Sequence, residues 1–184
     1  LPDVVASRFQ VVRQPGQRFF QEFPQLVDMK DGVRGPDHMR RIVRALIDSG
    51  VDVIKILATE RAGLPEGDPR RRTFNDEELV AATDEARLGG RAVMAHAHGD
   101  EGASAAVRAG VRSIEHGTYL SDATLSLMKA RGTFFVPTII AFERYIAMGG
   151  PGPQPNAIVA DRSRAMLPLV RAVTTKALKM GVRI

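Results

Sequence analysis

The sequence predicts an α/β fold, a partial TIM (β/α)8 barrel that comprises roughly strands three to eight. Short apolar segments typical of strands alternate with segments typical of helices, and a glycine separates each helix from the next strand. Such alternation gives parallel strands joined by right-handed crossovers. The chain has 184 residues, whereas a closed eight-stranded barrel typically needs ~250. An open doubly wound sheet is the alternative, but no Gly-x-Gly-x-x-Gly turn follows any strand.

Each strand is predicted from an apolar run that follows turn residues. The clearest run ends in two histidines, His96 and His98, after a glycine pair. The last run has barely begun when the sequence stops, and the first residue is Leu1 rather than Met. We therefore expect residues 1–184 to be the interior part of one domain, with its other parts outside this chain. The predicted strands lie near residues 3–9, 51–56, 91–96, 111–115, 133–137 and 182–184.

Capping residues mark where the predicted helices start and stop. Pro36 suits the first turn of a helix that Gly50 ends. Asn75 caps the next helix, and Glu78 completes a capping box with it. A long amphipathic helix is predicted over residues 157–180. Two further helices are predicted to open at Asp100 and Ser121. Loops are predicted at residues 15–20, 59–70 and 149–155.

The composition excludes several kinds of site and partner. The sequence contains no cysteine, so a metal has to bind His or carboxylate rather than thiolate. No apolar run approaches the ~18 residues of a membrane span. The net charge is +5, but the arginines are spread over the predicted helices, which indicates solvated helix faces rather than a nucleic-acid surface. We expect a cytoplasmic enzyme that acts on small molecules, without nucleic-acid or membrane partners. Assembly into a homo-oligomer is left open.

Polar side chains follow three of the predicted strands at similar depth. Lys55, His96 and His116 come five or six residues after the glycine that ends the preceding helix. Because the carboxyl ends of parallel strands meet at one edge of a sheet, these side chains should converge. His98 has the same parity as His96 and should point to the same side. Glu115 alternates with His116, so we expect it to face the helices.

Four short motifs at these strand ends resemble the amidohydrolase superfamily. They are closest to the imidazolonepropionase-related branch, which includes metal-dependent Xaa-Pro and Xaa-Arg dipeptidases. The similarity covers nearly the whole chain. Each motif alone is weak, but four motifs in register at strand ends are fairly specific. The motifs are VIKI at residues 53–56, AHAHG at 95–99, SIEHGT at 113–118 and VPT at 136–138.

The resemblance implies a binuclear metal site with two divalent ions, for which we expect zinc. Lys55 would be a carboxylated lysine that bridges the two ions, and His96 and His116 would hold the second ion. An unmodified ammonium only donates hydrogen bonds, whereas a carbamate is an anionic ligand with two oxygens. The apolar strand around Lys55 favours the neutral amine that carboxylation requires. The ordinary alternative for such a lysine is an ion pair with a carboxylate. His98 and Tyr119 are the predicted substrate contacts.

Parts of the family's site match nothing in this sequence. These parts are a His-x-His on the first barrel strand and an Asp on the eighth, which transfers protons. By the resemblance they are expected before Leu1 and after Ile184. No catalytic residue is therefore assigned within the chain, and we expect this segment alone to be inactive.

The predicted function is a metal-dependent hydrolase that cleaves C–N amide bonds of dipeptides or N-acyl amino acids through a metal-bridging hydroxide. Arginines of the predicted loops, among them Arg18 and Arg61, suit a substrate carboxylate. Cyclic amides of the imidazolonepropionase type are the alternative substrates. A metal-free barrel lyase or isomerase stays open, with Lys55 as Schiff base or general base. So does an inactive segment that serves as an interaction scaffold.

Overall fold

The computed structural model describes residues 6–150 and 156–184, and within them five strands form one sheet. None of the described helices is long and apolar enough to cross a bilayer. The strands are β1 Gln10–Val11, β2 Val53–Leu57, β3 Ala92–Ala97, β4 Ser113–His116 and β5 Phe134–Val136. The α-helices are α1 Gln17–Glu22, α2 Gly35–Asp48, α3 Asp76–Leu88, α4 Asp100–Ala109, α5 Asp122–Arg131, α6 Ile139–Met148 and α7 Ala157–Met180. A 3-10 helix spans Pro24–Met29.

The strands are parallel and lie side by side in the order β1-β2-β3-β4-β5. This arrangement confirms the predicted α/β fold with parallel strands, as expected of part of a barrel. The register places Leu57 beside His96, and His96 beside Glu115. Because side chains alternate along a strand, Lys55 lies on the same face as Leu57. Lys55, His96 and Glu115 therefore share one face of the sheet.

The first and last strands differ from the prediction. Of the strand predicted at residues 3–9, residues 3–5 lie outside the described residues. Arg8 has a φ of +54°, which interrupts an extended backbone, and β1 begins only after it. Residues 182–184 form no strand, although the amide of Phe135 in β5 donates a hydrogen bond to the carbonyl of Arg183 at 2.8 Å.

Two α-helices and the 3-10 helix were missed by the sequence prediction. Helix α1 overlaps the segment that was predicted as a loop at residues 15–20. The rings of Phe19 and Phe23, both buried, pack edge-on against Phe9 at centroid distances of 5.6 and 5.7 Å. Burial of these aromatic side chains, rather than a helical periodicity, therefore decides the local structure. Helix α6 was likewise not predicted.

The predicted capping residues bound most helices. The side chain of Asn75 accepts a hydrogen bond from the amide of Glu78 at 2.8 Å, and the Glu78 carboxylate accepts one from the amide of Asn75 at 2.9 Å. This is the predicted capping box. Ser121 caps α5 as predicted, whereas Asp100 lies inside the first turn of α4. Gly110 ends α4 with a φ of +97°, which only glycine adopts readily.

The main core lies between the sheet and helices α2 to α5. The strand residues Ile54, Ile56, Ala95 and Ile114 are fully buried in it. A second, smaller cluster connects α6 and α7 with the segment after β2. Its buried members are Ala62, Phe142, Met166 and Val170. The helices therefore cover one face of the sheet, and the polar face that carries Lys55 is left for the site.

Glu78 joins the start of α3 to two distant segments. Its carboxylate accepts hydrogen bonds from the guanidinium of Arg13 at 2.7 and 2.8 Å and from the amide of Gly35 at 2.8 Å. Burial by itself raises the pKa of Glu78, but the hydrogen bonds from Arg13 and from the backbone amides outweigh it and hold the pKa below its usual value. The fold therefore stabilises the charged form of this carboxyl group.

Replacing Glu78 with Gln should lower the free energy of unfolding at pH 7 by about 2 kcal/mol, because hydrogen bonds to a charged group are lost. A lowered folded-state pKa stabilises the protein above the unfolded pKa, and this stabilisation disappears as the pH falls through the folded value. The variant should therefore lose less stability than the wild type between about pH 5 and pH 3. Urea denaturation at several pH values measures both effects. Glu77→Gln, an exposed neighbour, is the matched control, and equal stability of the two variants at pH 7 would contradict the prediction.

Candidate metal centre

The carboxyl ends of β2, β3 and β4 open into one cavity of about 520 Å³. Lys55, His96 and His116 all line it, as the strand-end positions predicted. His98 lines it too. The other lining residues are Gln10, Arg61, Ala62, Gly63, Leu64, Glu115, Thr138, Ala141, Phe142, Tyr145 and Ser163.

Three histidines form a compact cluster in this cavity. Ring centroids are 4.6 Å apart for His96 and His116, and 4.8 Å apart for each of the other two pairs. One nitrogen atom from each ring lies within 4.8 Å of the other two. His96 and His98 are buried, with 8% and 2% of their surface exposed. The arrangement is compact enough for one ion to contact more than one of the rings.

An oxygen atom orients each of the three rings. The Nε2 atom of His96 lies 3.2 Å from the carbonyl of Glu60. The Nδ1 atom of His98 lies 2.9 Å from the Thr118 hydroxyl, and that of His116 lies 2.6 Å from the Thr138 hydroxyl. The second nitrogen of each ring, Nδ1 of His96 and Nε2 of His98 and His116, takes no part in these contacts. Histidines that bind metals commonly hydrogen-bond through the second ring nitrogen in this way.

Burial keeps the three rings neutral at pH 7. It lowers the pKa of His96 to about 4, and the nearby positive charges of Lys55 and Arg61 act in the same direction. Burial also holds the pKa values of His98 and His116 well below the usual range, and repulsion between the imidazoles adds to this effect. Only a neutral imidazole has the lone pair that a metal ion needs. The donor set therefore fits a divalent metal ion.

Lys55 forms a buried ion pair with Glu115. The other carboxylate oxygen of Glu115 accepts a hydrogen bond from the Ser113 hydroxyl at 2.6 Å. The prediction that Glu115 faces the helices is therefore wrong. The register places it beside His96, on the face of the sheet that carries the cavity. The ion pair is the contact expected of a lysine that is not carboxylated.

The backbone of His116 explains why the parity argument failed for Glu115. Along a regular strand, two successive side chains point to opposite faces. His116 has a φ of +75°, which is rare for a residue with a side chain, and this turn brings its ring to the cavity beside Glu115. Thr138, its hydrogen-bond partner, also has a positive φ, of +50°. Such backbone strain is concentrated at functional sites in proteins.

Tyr119 lies outside this cavity. Its amide donates a hydrogen bond to the carbonyl of His98 at 3.0 Å. The guanidinium of Arg70 lies over its ring, 4.3 Å from the centroid, in a separate depression that Arg162 also lines. Its predicted contact with a substrate stays a prediction.

The sequence analysis missed the three oxygens that orient the rings. Thr118 lies directly after the His-Gly pair at the end of β4, and a polar residue just beyond a strand end was a usable signal. The carbonyl of Glu60 left no signal, because any residue type presents a carbonyl. Thr138 ends the VPT motif at residues 136–138, to which the sequence analysis gave no role in the site, and it lines the cavity.

The sequence pattern of the amidohydrolase family matches residues 4–181. Among curated proteins, the chain is 36% identical over 118 residues to ochratoxinase of Aspergillus niger, which covers 64% of this chain and 25% of that enzyme. It is also 40% identical over 72 residues to an uncharacterized protein of Mycobacterium tuberculosis, which covers 39% of this chain and 20% of that protein. The chain thus spans about a quarter or less of the length of these relatives.

Solved structures give the same result. A Xaa-Pro dipeptidase with methionine bound in its active site is 34% identical, with a TM-score of 0.75 over 83% of this chain and 37% of that chain. The A. niger ochratoxinase structure is 32% identical, with a TM-score of 0.72 over 82% of this chain and 34% of that chain. A prolidase in complex with N-methylphosphonate-L-proline is 31% identical, with a TM-score of 0.76 over 82% of this chain and 37% of that chain. These similarities confirm the resemblance that the strand-end motifs predicted.

The buried histidines should make the metal-free protein sensitive to mild acid. Their folded-state pKa values lie below the unfolded value of ~6.5, so the unfolded state takes up protons first as the pH falls. The stability they contribute is complete above that value and decreases as the pH falls towards about 4, the value for His96. Urea denaturation in the presence of a chelator, at pH 7 and pH 5, measures the loss. His96→Gln should reduce it, and His38→Gln, outside the cluster, should not. Equal pH dependence in both variants would contradict the assignment.

Proposed function

This chain belongs to the amidohydrolase family, and on that premise we propose that its protein is a metal-dependent hydrolase of C–N amide bonds. Dipeptides or N-acyl amino acids are the proposed substrates. The observation that carries the proposal is the cluster of three histidines in one cavity at the strand ends. Neutral imidazoles oriented by oxygen atoms are suited to hold a metal ion, and a purely structural core has little use for such a costly cluster.

The proposed ligands are those of two neighbouring metal ions. His96 and His116 would hold one ion through their unbonded ring nitrogens, and Lys55, once carboxylated, would supply an anionic oxygen ligand to the site. Imidazole and oxygen ligands without thiolates suit zinc and similar divalent ions. Carboxylation replaces an ammonium by an anion, so the ion pair of Lys55 with Glu115 has to open when the carbamate forms. The remaining ligands and the proton-transferring Asp are expected outside residues 1–184.

Bound divalent ions lower the pKa of a water molecule and so supply the nucleophile. The side chains of the cavity then have to bind and orient the amide. The hydroxyl of Ser163, which lines the cavity, donates to the carbonyl of Val159 at 2.8 Å and is thus already engaged. We propose that this water, rather than a side chain, attacks the substrate and that no covalent enzyme intermediate forms.

The cavity has a polar and an apolar side. Its volume of about 520 Å³ falls in the range usual for small-molecule sites. Arg61 lines it and is suited to pair with a substrate carboxylate. Leu64 and Phe142 offer apolar surface to a substrate side chain. His98, whose Nδ1 is engaged by Thr118, retains Nε2 for a hydrogen bond to the substrate. Tyr119, which lies outside the cavity, is the second proposed substrate contact beside His98.

The metal-free alternative is less well supported by the site. A lyase or isomerase that uses Lys55 as Schiff base or general base needs the lysine and one acid or base partner. Glu115 meets that need, but such an enzyme has no use for three neutral histidines beside the lysine. An interaction scaffold would need neither group in a cavity. Cyclic amides remain the alternative substrates of the metal-dependent enzyme.

A first prediction of this proposal concerns metal content. In intact protein purified with zinc and bicarbonate, Lys55→Ala should lose metal and activity, because the bridging anion is gone. His96→Ala and His116→Ala should each lower the metal content, whereas His98→Ala should keep the metal and mainly change turnover. Elemental analysis by mass spectrometry gives the stoichiometry, and Lys129→Ala, at an exposed position of helix α5, is the control. Full occupancy in Lys55→Ala would refute the carbamate, and equal losses in the three histidine variants would refute the division of roles.

A second prediction concerns the reaction. Dipeptides ending in Pro, Arg or Leu should be hydrolysed, and an N-acyl amino acid amidated at its carboxyl group should be a poorer substrate, because Arg61 then lacks its anionic partner. Arg61→Gln should remove the difference between the free acid and the amide, whereas the exposed Arg164→Gln should preserve it. Initial rates measured beside a cyclic amide and a phosphotriester test the substrate class. Turnover of the phosphotriester alone would overturn the proposal.

A further inference from the structure

One wall of the metal cavity is a loop without regular secondary structure. We call residues 58–75, between β2 and α3, the β2 loop. Its residues Ala62, Gly63 and Leu64 line the cavity. Carbonyls in such a segment have no helix or sheet partners, so other hydrogen bonds have to fix the conformation of the wall.

A single arginine of α7 supplies partners to three carbonyls in the part of the loop that borders the cavity. Arg162, in the second turn of α7, donates from Nη1 to the carbonyls of Ala62 at 3.1 Å and Leu64 at 2.8 Å. Its Nη2 atom donates to the carbonyl of Pro65 at 3.0 Å. The guanidinium has no acidic partner within 4 Å among residues 6–150 and 156–184. It therefore binds the loop backbone rather than a carboxylate, and its planar fork of donors reaches three carbonyls at once.

The same loop also orients the histidines. The carbonyl of Glu60, next to Arg61, is the partner of the His96 ring at 3.2 Å. The hydroxyl of Thr59 accepts a hydrogen bond from the amide of His98 at 3.0 Å. A shift of the loop therefore moves the groups that position two of the three rings. The β2 loop therefore both forms the apolar wall of the cavity and contacts the histidine cluster.

The surface that Arg162 holds in place is apolar. Ala62 packs with Phe142 and Met166 in the small cluster between α6, α7 and the β2 loop. Leu64 and Phe142 line the cavity together. The width of this apolar part depends on how closely the loop lies against α6 and α7, and the hydrogen bonds of Arg162 tie the loop to α7.

We propose that Arg162 is a positioning residue that fixes the β2 loop as the apolar wall of the cavity and so selects amides with an apolar side chain. The positioning of the loop stands on the contacts of Arg162 alone. The selection of apolar amides rests on the proposed function. Two experiments separate these parts.

Limited proteolysis tests the position of the loop without any activity measurement. The β2 loop contains four trypsin sites, at Arg61, Arg70, Arg71 and Arg72. In intact protein, Arg162→Ala should raise the rate of cleavage at these sites about tenfold, because local opening exposes them. Arg162→Lys, which keeps the charge but not the fork, should fall between. Arg164→Ala, an exposed arginine on the same helix that pairs with Asp161, should match the wild type. Mass spectrometry of the first fragments identifies the sites.

Two proteolysis results would overturn the positioning role. One is an unchanged cleavage rate in the β2 loop of Arg162→Ala. The other is faster cleavage at all sites alike, including those in helix α2, because that pattern indicates global destabilisation. Faster cleavage confined to the β2 loop supports the proposal.

Steady-state kinetics and metal content test the selection. For a dipeptide with a Leu or Phe side chain, Arg162→Ala should raise KM about tenfold relative to its effect on the matching glycine dipeptide, since one apolar contact in a pocket is worth that much discrimination. Arg162→Lys should recover part of the difference, and Arg164→Ala should show none. Equal KM changes for both substrates, with or without loss of zinc, would overturn the selection. A wild-type protein that hydrolyses no amide would instead refute the proposed function, and proteolysis would still decide the role of Arg162.

Discussion

The site depends on the burial of three imidazole rings in a single cavity, which is unfavourable in free energy because it removes the rings from water. A buried polar group is tolerated only when it has hydrogen-bond partners. Three separate connections supply these partners, through the carbonyl of Glu60 after β2, the hydroxyl of Thr118 after β4 and the hydroxyl of Thr138 after β5. The connections at the carboxyl ends of the strands therefore have to adopt conformations that place these oxygens beside the rings. The helices on the other face have only to hold the strands in register.

Much of the fold could be predicted because its signals are local. A glycine such as Gly110 ends a helix by its own backbone freedom, and Asn75 with Glu78 caps one within a single turn. The alternation of helices and strands then gave the parallel sheet. The convergence of Lys55 and His96 on one cavity followed from that topology, because neighbouring strands end at the same edge.

The rest depends on geometry that no local pattern encodes. Counting residues from the preceding glycine made His96 and His116 equivalent, but the register pairs His96 with Glu115. The positive φ of His116 nevertheless turns its ring towards the cavity. Glu115 lies on the same face of the sheet, so both side chains line the cavity. The contact of Arg162 with Leu64 joins residues 98 positions apart. It exists only because α7 returns to the strand ends, which the sequence of neither segment reveals.

The ion pair of Lys55 with Glu115 limits how the proposed site could be assembled. In the buried pair one positive and one negative charge balance each other. Carboxylation of Lys55 would place a second anion beside Glu115, and two unpaired anions in a buried cavity are strongly unfavourable. Arg61 is the other cationic side chain that lines the described cavity, and a substrate carboxylate would compete for it. The compensating charge therefore has to come from the metal ions, so under the proposed chemistry carbamate formation and metal binding are coupled and neither should be complete without the other.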